Sequence, residues 1–207
     1  MSHQDEFIER VASDSPTPGG GSVSALASSL GCALAEMVSG ISIKKEESED
    51  VRNAVQDAFD RSSELRGRLM RLIEEDAQAY QAVLDSFSLP KGTDEEKRSR
   101  REAVQDALIG AAKPPLEIVR ISLEVLEIAR NLAAKGSRSA CTDAGVAALM
   151  AHAGLHGGYL NVRVNMASVE DEDLRKEMED EVRSALESAD ALLQSTLDVV
   201  HWRMSFQ

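Results

Sequence analysis

The forty residues from Ser48 to Phe87 constrain the fold more than any other part of the chain. Val51, Val55, Phe59, Ser62, Leu65, Leu69, Leu72, Asp76, Ala79, Val83 and Phe87 recur at steps of three or four, which places them on one face of an α-helix. A helix over that stretch is about 60 Å long. Its stripe must be covered along most of that length, so neighbours of similar length are needed. Strict alternation of apolar and polar residues persists nowhere, and the predicted class is all-α, an elongated up-and-down bundle of about six to seven helices.

The remaining breaks are short and turn-like. A first helix around Glu6 to Ala12 stops at residues 14–22, where two prolines and three glycines interrupt it. A second is predicted from Ser22 to Ile43. After Ser48–Phe87, Leu89-Pro90-Lys91-Gly92 ends the long helix, and Thr93 with Glu96 forms a capping box that opens the next, expected to reach Ala112. Lys113-Pro114-Pro115 is read as a break before a helix over Leu116–Lys135, ending at Gly136 in a left-handed cap. Ser137–Thr142 is read as a polar loop, followed by a small-residue helix to Met166 and a last one over Asp171–Arg203. No break resembles an interdomain linker, so residues 1–207 are read as one domain.

Composition narrows the function. With 36 acidic against 23 basic residues the net charge is −13, and aromatics are only 3%. Nucleic-acid binding is not expected, because both a basic face and stacking rings are missing. The acidic run Val169–Glu181 and the basic run Lys91–Arg101 read as solvated helix faces. No stretch of 18 uninterrupted apolar residues exists, and the polar N-terminus has no signal-peptide pattern, so a cytoplasmic protein without membrane contact is expected. Cys32 and Cys141 form neither a disulfide framework nor a CxxC metal pair.

Three places put glycine or polar residues where a bundle calls for leucine. Pro18-Gly19-Gly20-Gly21-Ser22 runs into a helix N-terminus, where free N–H groups and the helix dipole favour an anion; without a Walker or dinucleotide fingerprint, a plain turn explains it as well. Asp143, Ala147, Gly154, Gly158, Asn161 and Asn165 share one face of a later helix, either as a polar groove or as a tight helix–helix contact. Asp76 occupies a core position with Tyr80 one turn on, and such a carboxylate is either a satisfied structural group or an acid–base of raised pKa. Glu36 poses the same question more weakly. His152 and His156 lie four apart, but no HExxH motif and no third ligand accompany them, so no metal is expected. A GxSxG elbow is also missing.

Taken together these residues resemble the cyclodeaminase/cyclohydrolase family. The resemblance rests on Pro16-Thr17-Pro18-Gly19-Gly20-Gly21-Ser22, Ala33-Leu34-Ala35-Glu36-Met37-Val38, Lys44-Lys45, Glu75-Asp76-Ala77 with Ala79-Tyr80, and Leu89-Pro90-Lys91. It continues through Ala112 to Leu116, Asp143-Ala144-Gly145-Val146-Ala147 and Leu160-Asn161-Val162-Arg163-Val164-Asn165. The chain departs from the family pattern at Ser137-Arg138-Ser139-Ala140-Cys141, where an Asn-rich stretch is expected, and at Thr142, where Ser is expected.

The resemblance implies a homodimeric helical bundle acting on a tetrahydrofolate that carries a one-carbon unit, with no permanently bound cofactor. It implies either a cyclohydrolase, which opens 5,10-methenyltetrahydrofolate to the 10-formyl compound, or a lyase-type cyclodeaminase, which closes the 5-formimino compound with loss of ammonia. The absence of a fused formiminotransferase segment tilts the reading to the cyclohydrolase. A non-catalytic helical interaction module is the rival of a different class. On the family reading Asp143 is the principal acid–base, Asp76 its alternative or partner, and Tyr80, Asn161 and Asn165 orient the substrate. Gly19, Gly20, Gly21, Ser22, Lys44, Lys45 and Arg163 are then expected to bind it, the cations offsetting the protein's own negative field at the folate carboxylates.

Overall fold

The computed structural model describes residues 2–45 and 48–205. Six α-helices follow one another: α1 (His3–Ala12), α2 (Gly20–Ile43), α3 (Glu49–Phe87), α4 (Asp94–Lys135), α5 (Cys141–Met166) and α6 (Glu172–Met204), with a 3-10 turn over Arg138–Ala140. No strand occurs among the described residues. The expected all-α bundle is what forms.

Cross-helix contacts fix the directions. Ser22 reaches Ile73 and Glu36 reaches Arg66, so α3 runs antiparallel to α2. Arg61 with Glu124 and Arg68 with Glu117 give the same relation between α3 and α4. Asn165 bonds Ala111 while Gly158 lies against Val119, making α5 antiparallel to α4, and His152 meets Asp190 while Gly145 lies against Val200, making α6 antiparallel to α5. The larger core cluster takes Leu65, Leu69 and Leu72 from α3, Ile118, Val119 and Leu126 from α4, Leu155 from α5 and Val182 from α6. The stripe read from the sequence is therefore the face of α3 that enters the core from Val55 to Val83, whereas Phe87 at its end stays exposed.

α2 packs against α3, α4 and α5. Although no 18 of its residues are uninterruptedly apolar, its length and mean hydropathy of 1.5 are those of a membrane-crossing helix. Its composition instead suits close packing. Gly31 lies where a Cβ would come within 2.9 Å of the Ala147 carbonyl, and Gly154 of α5 leaves room for the Ser28 hydroxyl and the Ser24 carbonyl. Ser28 and Ser122 then bond across to α4 at 2.6 Å. Small residues let the backbones meet, and hydroxyls satisfy what is buried there.

Three local expectations are overturned. α4 does not break at Lys113-Pro114-Pro115 but carries both prolines inside a helix of 42 residues. Both are buried, and packing on α5 outweighs the lost backbone bonds. Gly136 is not left-handed: its φ and ψ are −71° and 178°, and it is needed because a Cβ would crowd the Leu132 carbonyl at 2.6 Å. The turn after it is short, and α5 already begins at Cys141. Here the guanidinium of Arg203 from α6 donates to the carbonyls of Ala133 and Gly136, capping α4 from a neighbouring helix. The capping box of Thr93 and Glu96 forms as expected.

Candidate functional site

α2 starts earlier than its sequence pattern indicates, so that Gly20 and Gly21 lie in its first turn after Gly19 as N-cap. No side chain of its own caps it. The cap comes from α3: the Asp76 carboxylate occupies the space a Cβ on Gly21 would fill, and Ser22 Oγ donates to Asp76 Oδ2 at 3.2 Å and to the Ile73 carbonyl at 3.0 Å. The anion at this helix N-terminus is thus the protein's own. Burial pushes the Asp76 carboxyl above the ordinary aspartate range, while the Ser22 hydroxyl and N–H pull it partly back.

Asp76 borders an open recess of about 230 Å³. Its walls are Gly19, Gly20 and Gly21 at the α2 start, Tyr80 one turn beyond Asp76, Ala111 of α4, and Asn161, Val164 and Asn165 of α5. Pro16 and Thr17 close one edge. Sequence reasoning passed over Pro16 and Thr17 as site residues, though they adjoin the glycines, and it had no signal for Ala111 or Val164.

The two amides are held in place. Asn161 Nδ2 donates to the Gly157 carbonyl at 2.8 Å and packs against Gly20, whose Cβ, were it present, would lie 3.2 Å from that nitrogen. Asn165 Nδ2 donates at 2.9 Å to the carbonyl of Ala111. That carbonyl is available because Pro115, four residues on, has no N–H to give it. Each amide keeps its Oδ1 as a remaining acceptor. The recess therefore offers a partly desolvated carboxylate, fixed amides, a phenol and a glycine-lined wall that a planar ring can approach closely.

Other expected residues lie elsewhere in the subunit. Asp143 is in the first turn of α5, 18 residues before Asn161 and so about 27 Å from it along the axis. The shared face is real, but it is a line rather than a place. Lys44 and Lys45 lie at the far end of α2, where Lys45 Nζ donates to Ser139 Oγ at 2.8 Å. Arg163 turns away from the recess, donating to the Tyr159 hydroxyl at 3.0 Å and lying 3.9 Å from Glu179. Glu36 is accounted for by a two-bond pairing with Arg66. Both cysteines are free and buried, and burial first, then Glu36, pushes the Cys32 thiol up to about 12, which removes it from nucleophilic chemistry.

Known proteins resemble this chain over nearly its whole length. Residues 3–184 match the family model described as formiminotransferase-cyclodeaminase. A methenyltetrahydrofolate cyclohydrolase of Methylorubrum extorquens is 37% identical over 94% of this chain and 93% of its own length. The mouse formimidoyltransferase-cyclodeaminase is 30% identical over 88% of the chain, which spans only 34% of that longer protein. The crystal structure of formiminotetrahydrofolate cyclodeaminase from Thermotoga maritima superposes with a TM-score of 0.86 at 29% identity, covering 97% of this chain and 96% of that one. Sequence and helical-bundle shape are thus shared with these proteins over most of the chain, and the chain belongs to the formiminotransferase-cyclodeaminase family.

Proposed function

We propose that this chain is a methenyltetrahydrofolate cyclohydrolase that works at the recess beside Asp76. The observation that carries the reading is the carboxylate itself, desolvated enough to hold a raised pKa and open to a wall where a flat ring can lie. In the reaction a water oxygen adds to the methenyl carbon while its proton passes to Asp76. The C–N5 bond then breaks as N5 takes that proton back, and the carbinol proton leaves to solvent, so the formyl group stays on N10. One proton is released per cation hydrolysed. A base that later acts as an acid is best served by a pKa lifted towards the working pH. Asn161, Asn165 and Tyr80 orient the ring through their hydrogen-bonding groups.

The preference for water over amine chemistry is supported by the Methylorubrum relative, 93% of whose length this chain matches. The Thermotoga neighbour supports the cyclodeaminase as the second reading. The two separate in one spectrophotometric experiment. Under the first, the methenyl absorbance of 5,10-methenyltetrahydrofolate falls faster than its spontaneous decay. Under the second, it rises from 5-formiminotetrahydrofolate with release of ammonia. No change with either substrate, from folded protein, overturns both.

The recess is smaller than the roughly 300–1,000 Å³ that usually encloses a drug-sized ligand, so it takes the ring head and leaves the tail outside. We propose that a homodimer supplies the rest. Val23, Leu30 and Met37 of α2 and Val146, Leu149, Leu160 and Val164 of α5 make an exposed apolar face on two adjacent antiparallel helices. A two-fold axis crossing that face brings Lys44, Lys45 and Asp143 of the partner subunit towards the recess. On this arrangement, mixing inactive Asp76→Asn and Asp143→Asn chains restores about a quarter of wild-type turnover, because half the dimers are mixed and each has one intact composite site. Mixing without recovery places Asp143 outside the site.

A further inference from the structure

His152 and His156 sit one turn apart on α5 and share a face, and the third group that their sequence spacing lacked comes from α6. Asp190 Oδ1 lies 2.7 Å from His152 Nε2 and 3.4 Å from His156 Nε2. One donor atom from each of the three residues falls within a span of 4.8 Å. The imidazole rings are 4.4 Å apart between centroids and tilted by 44°, so they fan around a common point instead of stacking.

These separations lie near those of a coordination shell and reach it by small side-chain rotations. With bonds of about 2.0–2.1 Å, neighbouring donors on a tetrahedron lie about 3.3 Å apart, between the two distances found. The side chains grade from 22% exposed at His152 through 43% at His156 to 64% at Asp190, which leaves the outer side of the cluster to water. Two imidazoles and a carboxylate suit zinc-like divalent ions better than calcium or magnesium, which prefer all-oxygen shells.

We propose that His152, His156 and Asp190 bind one divalent transition-metal ion of the zinc type, clipping α5 to α6. The site is separate from the recess, but it acts on the same helix. Asn161 lies five residues beyond His156, about 7.5 Å along the axis. A filled clip fixes the α5 segment that presents both amides, and its role is structural, with no metal-bound water assigned to the folate reaction.

The test uses the full chain without an affinity tag, titrated with Co2+ as a spectroscopic probe and then with Zn2+. The expected result is a visible d–d band that saturates at one Co2+ per chain and is displaced by Zn2+. The thermal midpoint rises by roughly 5 °C when the ion is in hundred-fold excess over its dissociation constant. His152→Ala and Asp190→Asn each weaken Co2+ binding at least tenfold while circular dichroism in chelator stays that of the parent. Asp190→His, which restores a ligand, recovers the band, and Asp76→Asn leaves it unchanged. Absence of a saturable band, or equal affinity in the parent and both ligand variants, overturns the proposal.

Discussion

The seam between α2 and α5 and the seam between α3 and α4 solve the same packing problem in opposite ways. Along α2–α5 the contacts are backbone against backbone, through Gly31, Gly154 and Gly157 with serine hydroxyls filling what is left. Along α3–α4 long side chains meet, leucines inside and arginine forks outside, with Arg61 holding Glu124 and Arg68 holding Glu117 and Glu75. The lesson is that precision follows from small residues. The tight seam ends at the recess and sets where Asn161 stands relative to Gly20, whereas the ion-laced seam finishes a surface.

The largest effect is expected where the tight seam ends. Asp76→Asn should lower turnover by about 10²–10⁴-fold, the usual worth of a positioned acid–base, with circular dichroism unchanged. Its folded pKa lies above the unfolded value, so the folded chain binds this proton more tightly, and stability from this group rises as pH falls through that range. The Asn variant should therefore lose that component of the stability–pH curve and be no less stable than the parent at neutral pH. A variant that unfolds instead would make Asp76 a structural cap alone.

Glycine-to-alanine changes of opposite sign sharpen the comparison. At Gly154 the new methyl meets the Ser28 hydroxyl and comes within 2.7 Å of the Ser24 carbonyl, so Gly154→Ala should destabilise by about 1–3 kcal/mol, read by denaturant titration. At Gly110, in the interior of α4, nothing lies within 4 Å of the added methyl. Gly110→Ala should stabilise by about 0.5–1 kcal/mol. Equal effects at the two sites would mean that α2 and α5 are not in backbone contact. The smallest change belongs to the arginine forks: Arg68→Ala should cost less than about 1 kcal/mol and cost less still in high salt.

What the sequence made legible follows from what periodicity encodes. A 3.6-residue repeat reports which face a residue occupies, and the α3 stripe, the in-stripe Asp76 and the Gly/Asn face of α5 were readable for that reason. It does not report position along an axis. Asp143 and Asn161 therefore shared a face although about 27 Å of helix separates them, and Lys44 and Lys45 were grouped with glycines at the opposite end of their own helix. The prolines of α4 were misread because local propensity weighs an isolated helix, while their burial against α5 outweighs it. Asp190 was invisible because partners on different helices leave no spacing to count.

The pair Pro114-Pro115 has one more consequence. Pro115 withholds a hydrogen from the Ala111 carbonyl, and Asn165 supplies one from another helix. Restoring that hydrogen with Pro115→Ala would give Ala111 a competitor within its own helix and free the Asn165 amide to rotate. Part of the recess is thus specified by an atom the chain does not possess, so a substitution that touches no ligand and improves local helicity would detune the site.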